Sequence, residues 1–285
     1  ITNHASRITH HGSPSTEHRA LPLRIGSRME TQSEVRGSLK LLLLASALTF
    51  VLWFIPLASV ITYPIQLLVT FIHETGHALV ALATLGGVNS ITLEWNGNGA
   101  TLIRGGWSFL TSTAGYVTTT LYGSALLLFL RKARNARAAA ATTGGLLLVM
   151  TVLFAGNLVA WLVGILFGVG CLSVGLKANR KVAHFLMSFL AVQCILNAFY
   201  DLRALLYLSA YDPGTLTDAR IISESTGGFL PPIVWAVCWA LLSVAVVAYT
   251  LLLYARSVRQ AASLSGALSP SLITERSASA SAPHI

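Results

Sequence analysis

The chain has 285 residues, of which 54% are hydrophobic and 10% are charged. Soluble domains carry about 25% charged residues, so the composition excludes an ordinary soluble enzyme. The formal net charge of +9 comes from basic residues that lie mostly in the tails and between apolar segments. We therefore expect the lipid bilayer, with its anionic headgroups, as a partner, and we expect no nucleic acid.

Apolar segments recur along the chain, and a segment of about twenty residues can cross a bilayer as one helix. From them we predict an all-α polytopic membrane protein with about seven transmembrane helices. Residues 138–176 are too long for one span, and Gly156-Asn157 near their middle divides them into two. The predicted spans are residues 41–61, 63–85, 107–130, the two halves of 138–176, 182–208 and 231–254.

Composition also divides the chain into three parts. Residues 1–40 are predicted to form a disordered N-terminal tail, in which Met29 is an alternative start of translation. Residues 41–254 are predicted to form the membrane-embedded domain. Residues 255–285 are rich in Ser and Ala and are predicted to form a disordered C-terminal tail.

The hydrophobic pattern changes between the second and third predicted spans. Residues 90–95 alternate between polar and apolar side chains, Asn96-Gly97-Asn98-Gly99 is a turn signal, and residues 100–103 alternate again. This pattern predicts a short β-hairpin directly after the second span.

Two histidines and a glutamate lie deep in the second predicted span, where burying an ionisable side chain is costly and indicates a function. His73-Glu74-Thr75-Gly76-His77 is an H-E-x-x-H pattern. Residues four apart project from one helix face, so His73 and His77 can bind one metal ion. Glu74 would then face the open coordination position as the general base. The alternative is that these side chains form hydrogen bonds between helices.

A catalytic zinc site takes three protein ligands and keeps an open position. Asp201 is the remaining carboxylate within a predicted span, and it lies in the second half of its helix, as His77 does. The second and sixth spans run parallel, so we predict Asp201 as the third ligand. The rival ligand is Asp218, in a loop that could fold back over the site. Alternatively, Asp201 is an interfacial acid paired with Arg203 or Arg104.

The predicted hairpin has two interpretations. A peptide bond inside a membrane helix is protected by the helical hydrogen bonds, and an edge strand could hold the unwound peptide in an extended form. Alternatively, the hairpin is a connecting loop. No individual substrate-binding residue is predicted.

These elements together resemble a known family. The chain is similar to the site-2-protease-type intramembrane zinc metallopeptidases, in particular to their peptidase M50B-like branch, over about residues 60–245. The resemblance implies a zinc ion held by His73, His77 and Asp201, with Glu74 as the base. Better-known members carry Asp-Gly after a Leu, whereas here Leu202 follows Asp201. The resemblance is carried by His73-Glu74-Thr75-Gly76-His77-Ala78, Gly86-Gly87, the hairpin, Ala114-Gly115-Tyr116, Asp201, Thr217-Asp218-Ala219, Trp235 and Trp239.

The leading hypothesis is therefore a zinc-dependent intramembrane endopeptidase that hydrolyses a peptide bond in a membrane-embedded helix of a substrate protein. The alternative is a non-catalytic multi-pass membrane protein, either a pseudoprotease or a transporter, that uses the His, Glu and Asp side chains as interhelical contacts. A membrane di-iron enzyme would need more histidines than the predicted spans contain.

Overall fold

The computed structural model describes residues 37–49, 51, 58–212 and 214–280. Most of the predicted N-terminal tail and residues 281–285 lie outside the described residues. The helices are α1 (Gly37–Thr49), α2 (Ala58–Ala83), α3 (Ser108–Phe129), α4 (Ala136–Phe154), α5 (Leu158–Lys177), α6 (Arg180–Tyr211), α7 (Asp218–Ser225) and α8 (Pro232–Ala280). The strands are β1 (Gly87–Leu93) and β2 (Gly99–Arg104), and a 3₁₀ turn, Ala133–Asn135, precedes α4.

Within the described residues, five helices are long and apolar enough to cross a membrane. The protein is therefore a multi-pass integral membrane protein, and the predicted all-α architecture with a hairpin after α2 is confirmed. These five spans are Thr62–Ala83, Ala133–Phe154, Leu158–Lys177, Arg180–Tyr211 and Pro232–Gln260.

Two predicted spans are not among these five, so the predicted number of about seven is approximate. The first of them is represented by α1, which is shorter, and residues 50 and 52–57 lie outside the described residues. The other is α3, which is 22 residues long but contains many Thr, Ser and Gly residues. Thr119, Thr120 and Ser124 of α3 are buried, because α3 packs against α2, α6 and α8. These three polar side chains of α3 thus face protein rather than lipid.

The α4–α5 boundary lies where the sequence predicts it. Helix α4 ends at Phe154 and α5 begins at Leu158, with the Asn157 side chain accepting a hydrogen bond from the Ala160 N–H. Helix α8 continues to Ala280, through most of the segment for which the sequence predicts a disordered tail. The domain boundaries remain a prediction.

The hairpin lies along α2, and its turn points towards the N-terminal half of that helix. Strands β1 and β2 pair antiparallel, with Leu93 opposite Gly99. Thr70 of α2 donates a hydrogen bond to the Gly97 carbonyl at 3.0 Å, and the Tyr63 hydroxyl donates to the Trp95 carbonyl. The hairpin thus lies beside a membrane-spanning helix, and β2 runs past the middle of α2.

The turn between α4 and α5 holds the outer edge of β1. The Gly156 N–H donates to the Ile91 carbonyl at 2.7 Å. The Asn157 amide donates to the Leu93 carbonyl at 2.6 Å and accepts from the Leu93 N–H at 3.3 Å, as a neighbouring strand would. No described strand pairs with the other edge of β2. The outer edge of β1 is therefore hydrogen-bonded to the α4–α5 turn, whereas the outer edge of β2, called the open edge below, pairs with no described strand.

Helix α7 packs on the ends of α6 and α8. Its residues Ala219 and Ile222 are fully buried, and Arg220 and Glu224 form an ion pair of 2.7 Å on the outer side. Thr217 caps the helix by accepting a hydrogen bond from the Arg220 N–H. This packing fixes the position of residue 218. The buried cluster consists of Leu202, Leu205, Ala219, Ile222, Ala236 and Trp239.

Candidate metal centre

The H-E-x-x-H segment lies within α2, in the C-terminal half of the helix. The Nε2 atoms of His73 and His77 are 3.1 Å apart, because residues four apart lie one above the other on a helix. The His77 side chain is 8% exposed and that of His73 is 12% exposed. The two imidazoles therefore present adjacent nitrogens in a site that is largely closed.

A backbone carbonyl orients His77. The His77 Nδ1 atom lies 2.6 Å from the carbonyl oxygen of Thr111 on α3. A carbonyl only accepts hydrogen bonds, so Nδ1 carries the hydrogen, and the Nε2 atom of the neutral ring keeps its lone pair. This is the tautomer that a metal ligand requires.

Two glycines allow α3 to approach the histidines. A Cβ added at Gly76 would lie 2.7 Å from the Thr118 Cβ. A Cβ added at Gly115 would lie 2.1 Å from the His73 Nε2 and 2.5 Å from the His77 Nε2. Tyr116 packs edge-on against the His73 ring, at 4.7 Å between centroids. Gly115 therefore leaves open the space next to both ligand nitrogens.

Asp218, the first residue of α7, completes the group. Its Oδ2 atom lies 3.5 Å from the His73 Nε2 and 3.4 Å from the His77 Nε2. Burial favours the neutral acid, but the charges and hydrogen bonds of His77 and His73 outweigh this effect and hold the pKa of the Asp218 carboxyl well below its usual range. The Asp218 side chain is 20% exposed, more than either histidine side chain.

Asp201, the predicted third ligand, is not brought into this group. It lies on α6, is partly buried, and interacts electrostatically with His73. Among the described residues, the His, Cys, Asp and Glu side chains close enough to hold one metal ion are those of His73, His77 and Asp218, whose ligand atoms lie within 4.8 Å of one another. The structure thus brings the two predicted histidines together with the rival carboxylate.

The spacing of the three ligand atoms suits zinc. Zn–N and Zn–O distances of about 2.0–2.2 Å correspond to about 3.3–3.5 Å between two ligands of a tetrahedral site. The observed separations are 3.1, 3.4 and 3.5 Å. Two imidazoles and a carboxylate also form the ligand type of known catalytic zinc sites. The chain's own residues therefore fit a zinc ion with one open position.

Glu74 faces the hairpin. Thr101 of β2 donates a hydrogen bond of 2.6 Å to the Glu74 Oε2 atom, and its hydroxyl also lies 3.0 Å from the Glu74 carbonyl oxygen. A Cβ added at Gly99 would lie 2.7 Å from the Glu74 Oε1 atom. Glu74 is 5% exposed, and its side chain is enclosed between its own helix, α2, and strand β2. The hairpin thus contacts the residue predicted to be the base.

No motif in the sequence distinguishes Thr101 or Thr111. The alternation of β2 could have pointed to Thr101, since Gly99, Thr101 and Ile103 share one side of that strand. No sequence signal distinguishes Thr111, because it acts through its backbone carbonyl.

The comparisons with known proteins agree with the resemblance seen in the sequence. The sequence model of the Peptidase M50B-like family matches residues 42–250, a region that contains the H-E-x-x-H segment, the hairpin and Asp218. No curated protein and no solved structure matches the chain significantly. Because the family match covers well over half of the sequence, the chain belongs to the Peptidase M50B-like family.

Proposed function

We propose that the protein is a zinc-dependent endopeptidase that hydrolyses a peptide bond in a membrane-embedded helix of a substrate protein. Membership of a peptidase family supports a metallopeptidase. The observation that carries the proposal is the triangle of His73, His77 and Asp218, with separations of 3.1, 3.4 and 3.5 Å beside a glutamate of the same helix.

In this proposal His73, His77 and Asp218 hold the zinc ion, and Asp201 does not. Zinc, when bound, supplies a Lewis acid that polarises the scissile carbonyl and acidifies water. The Thr111 carbonyl keeps the His77 ring in the required tautomer. The Tyr116 ring packs on His73 and restricts its rotation.

Glu74 is proposed to be the general base. Its carboxylate takes a proton from the attacking water and returns it to the leaving amine nitrogen. The charge of Glu74 acts on His77, whereas the Glu74 carboxylate packs against β2. Burial excludes bulk water from this carboxylate.

The open edge of β2 is proposed to bind the substrate. A peptide bond in a helix must be unwound before it is attacked, and pairing with an edge strand offers hydrogen bonds to the unwound segment. Strand β2 has such an edge, and its Thr101 contacts Glu74. This arrangement favours the substrate-binding interpretation of the hairpin over that of a connecting loop.

A second candidate function is a non-catalytic membrane protein. The contacts of Asp218 with the two histidines join α7 to α2, and the His77–Thr111 hydrogen bond joins α2 to α3. Protonated histidines and a carboxylate could make these contacts without a metal, as interhelical contacts.

The test is a cleavage assay in proteoliposomes with added zinc. The probe is a tagged single-span helix whose centre carries a helix-breaking Asn-Pro pair. We expect the wild type to cleave it, Glu74→Gln to be inactive while it keeps its zinc, and Glu94→Gln to be active. Glu94 is the matched control, because it is an exposed glutamate whose carboxylate bonds Asn96. Cleavage by Glu74→Gln at the wild-type rate would exclude the proposed mechanism.

A further inference from the structure

We propose that Thr101 is a positioning residue for Glu74: the Thr101 hydroxyl holds one carboxylate oxygen of Glu74 and so fixes the orientation of the carboxylate. The inference rests on the proposed function, because it assumes that Glu74 is the base. It adds a residue of the hairpin to the catalytic machinery of α2.

The hydrogen bond between the two side chains is short, and Thr101 is its donor. The Thr101 Oγ1 lies 2.6 Å from the Glu74 Oε2, within the range of an O–H donor on a carboxylate. The same Oγ1 lies 3.0 Å from the Glu74 carbonyl oxygen, so the single hydroxyl hydrogen favours the nearer carboxylate oxygen. A buried carboxylate without a donor would be costly. Thr101 supplies that donor.

The alternation of β2 explains why the two carboxylate oxygens differ. Gly99, Thr101 and Ile103 are half-buried, whereas Ala100 and Leu102 are exposed, so the first three face α2. Gly99 lies under the Glu74 Oε1, where a Cβ would come within 2.7 Å. Among the described residues no hydrogen-bond donor contacts Oε1. Oε2 is therefore held by Thr101, and Oε1 lies over a residue that has no side chain.

The position of Thr101 is in turn fixed from the other side of the hairpin. Asn157 holds Leu93 of β1 through both backbone groups, and Leu93 pairs with Gly99 of β2. The α4–α5 turn thus holds β1, β1 pairs with β2, and Thr101 of β2 donates to Glu74. The strand whose open edge is proposed to bind the substrate is also the strand that orients the base.

The principal test compares three variants. Thr101→Val keeps the shape and the β-branch but removes the donor, and Thr101→Ser keeps the donor. Thr92→Val is the matched control, since Thr92 lies on β1 and donates to the Ala100 carbonyl rather than to Glu74. With the Asn-Pro helix probe, we expect Thr101→Val to lower kcat about 10- to 100-fold with KM and zinc content unchanged. Thr101→Ser should recover most of the loss, and Thr92→Val should match the wild type.

A second readout does not depend on activity. The infrared bands of the Glu74 carboxyl group are identified as those lost in Glu74→Gln. We expect Thr101→Val to shift these bands, and Thr101→Ser and Thr92→Val to leave them in place. If the wild type cleaves no probe, the proposed function fails, and the infrared comparison still decides whether Thr101 holds Glu74.

Four results would overturn the inference. The first is a wild-type kcat in Thr101→Val, and the second is a loss of kcat in Thr101→Ser equal to that in Thr101→Val. The third is a Thr101→Val protein that loses zinc or has a raised KM while its kcat is not lowered. The fourth is a Thr101→Val protein whose Glu74 infrared bands are unchanged. The last three would mean that the side chain acts through packing, substrate binding or the metal site rather than through its hydroxyl.

Discussion

The carboxylate of Asp218 lies 3.4 Å from the Nε2 atom of His77, so that the first residue of the short helix α7 meets the membrane-spanning helix α2. Buried contacts of Ala219 and Ile222 keep α7 in this position. The candidate metal centre therefore combines two side chains from a membrane span with a third from the short helix α7.

The two candidate third ligands can be separated by matched substitutions. We expect Asp218→Asn to weaken zinc binding by more than the 10- to 100-fold that loss of an outer-shell partner costs. We expect Asp201→Asn to bind zinc nearly as the wild type does, because Asp201 lies outside the group formed by His73, His77 and Asp218. Zinc affinity is measured by competition with a chelator. The reverse order of affinities would restore Asp201 as the ligand.

Gly115 gives a steric test of the same site. In Gly115→Ala the new Cβ would come within 2.1 Å of the His73 Nε2, so the ring must move or α3 must shift. We expect zinc to be lost or held poorly, with cleavage lower by roughly 100-fold, as a displacement of about 1 Å can cause.

The control for this steric test is Gly170→Ala, in α5, where an added Cβ meets nothing within 4 Å. This variant should keep its zinc and its activity and should gain up to about 1 kcal/mol of helix stability. Zinc content and thermal unfolding of both variants are measured side by side. A Gly115→Ala protein with full zinc and full activity would show that the space next to the histidines is not needed.

Asn157 is predicted to stabilise the hairpin as well as α5. Asn157→Ala removes a helix cap and the two hydrogen bonds to Leu93. Asn179→Ala removes an equivalent cap from α6, where the side chain accepts from the Val182 N–H.

We expect Asn157→Ala to be the less stable of the two variants by about 2 kcal/mol, at about 1 kcal/mol for each additional hydrogen bond. Unfolding midpoints in one detergent give the comparison. Equal midpoints would mean that the Asn157–Leu93 contact contributes nothing to stability.

Much of the fold follows from local sequence patterns. The apolar lengths predict the spans of α2, α4, α5, α6 and α8, and strand alternation on both sides of Asn96-Gly97 predicts the hairpin. These features depend on residues close together in the chain, which is why the sequence alone reveals them. The pairing of His73 with His77 is also local, since it requires only a helix.

The third ligand depends on contacts that are distant in the chain. Asp201 is the predicted ligand because it lies within a span, where a carboxylate is costly. Asp218 approaches the histidines because α7 packs on Leu202 and Trp239, which belong to two other helices. A polar segment of this kind is typical of a loop, and only tertiary packing determines where it folds.

The role of α3 was also beyond local patterns. Small residues in a membrane helix allow another backbone to approach closely, but they do not identify which helix does so. In the structure Gly76 and Gly115 bring α2 and α3 together, and the Thr111 carbonyl reaches His77. The burial of its polar residues between helices explains why its composition differs from that of a lipid-facing span.

The zinc content of the detergent-purified protein, measured by elemental analysis, tests the metal centre formed by His73, His77 and Asp218 most directly. Wild type is compared with a His73→Ala, His77→Ala double variant of equal helical content by circular dichroism. We expect about one zinc ion per chain in the wild type and none in the double variant. A wild type that holds no zinc after reloading would contradict this expectation, and His73, Glu74 and His77 would then be interhelical contacts in a non-catalytic membrane protein.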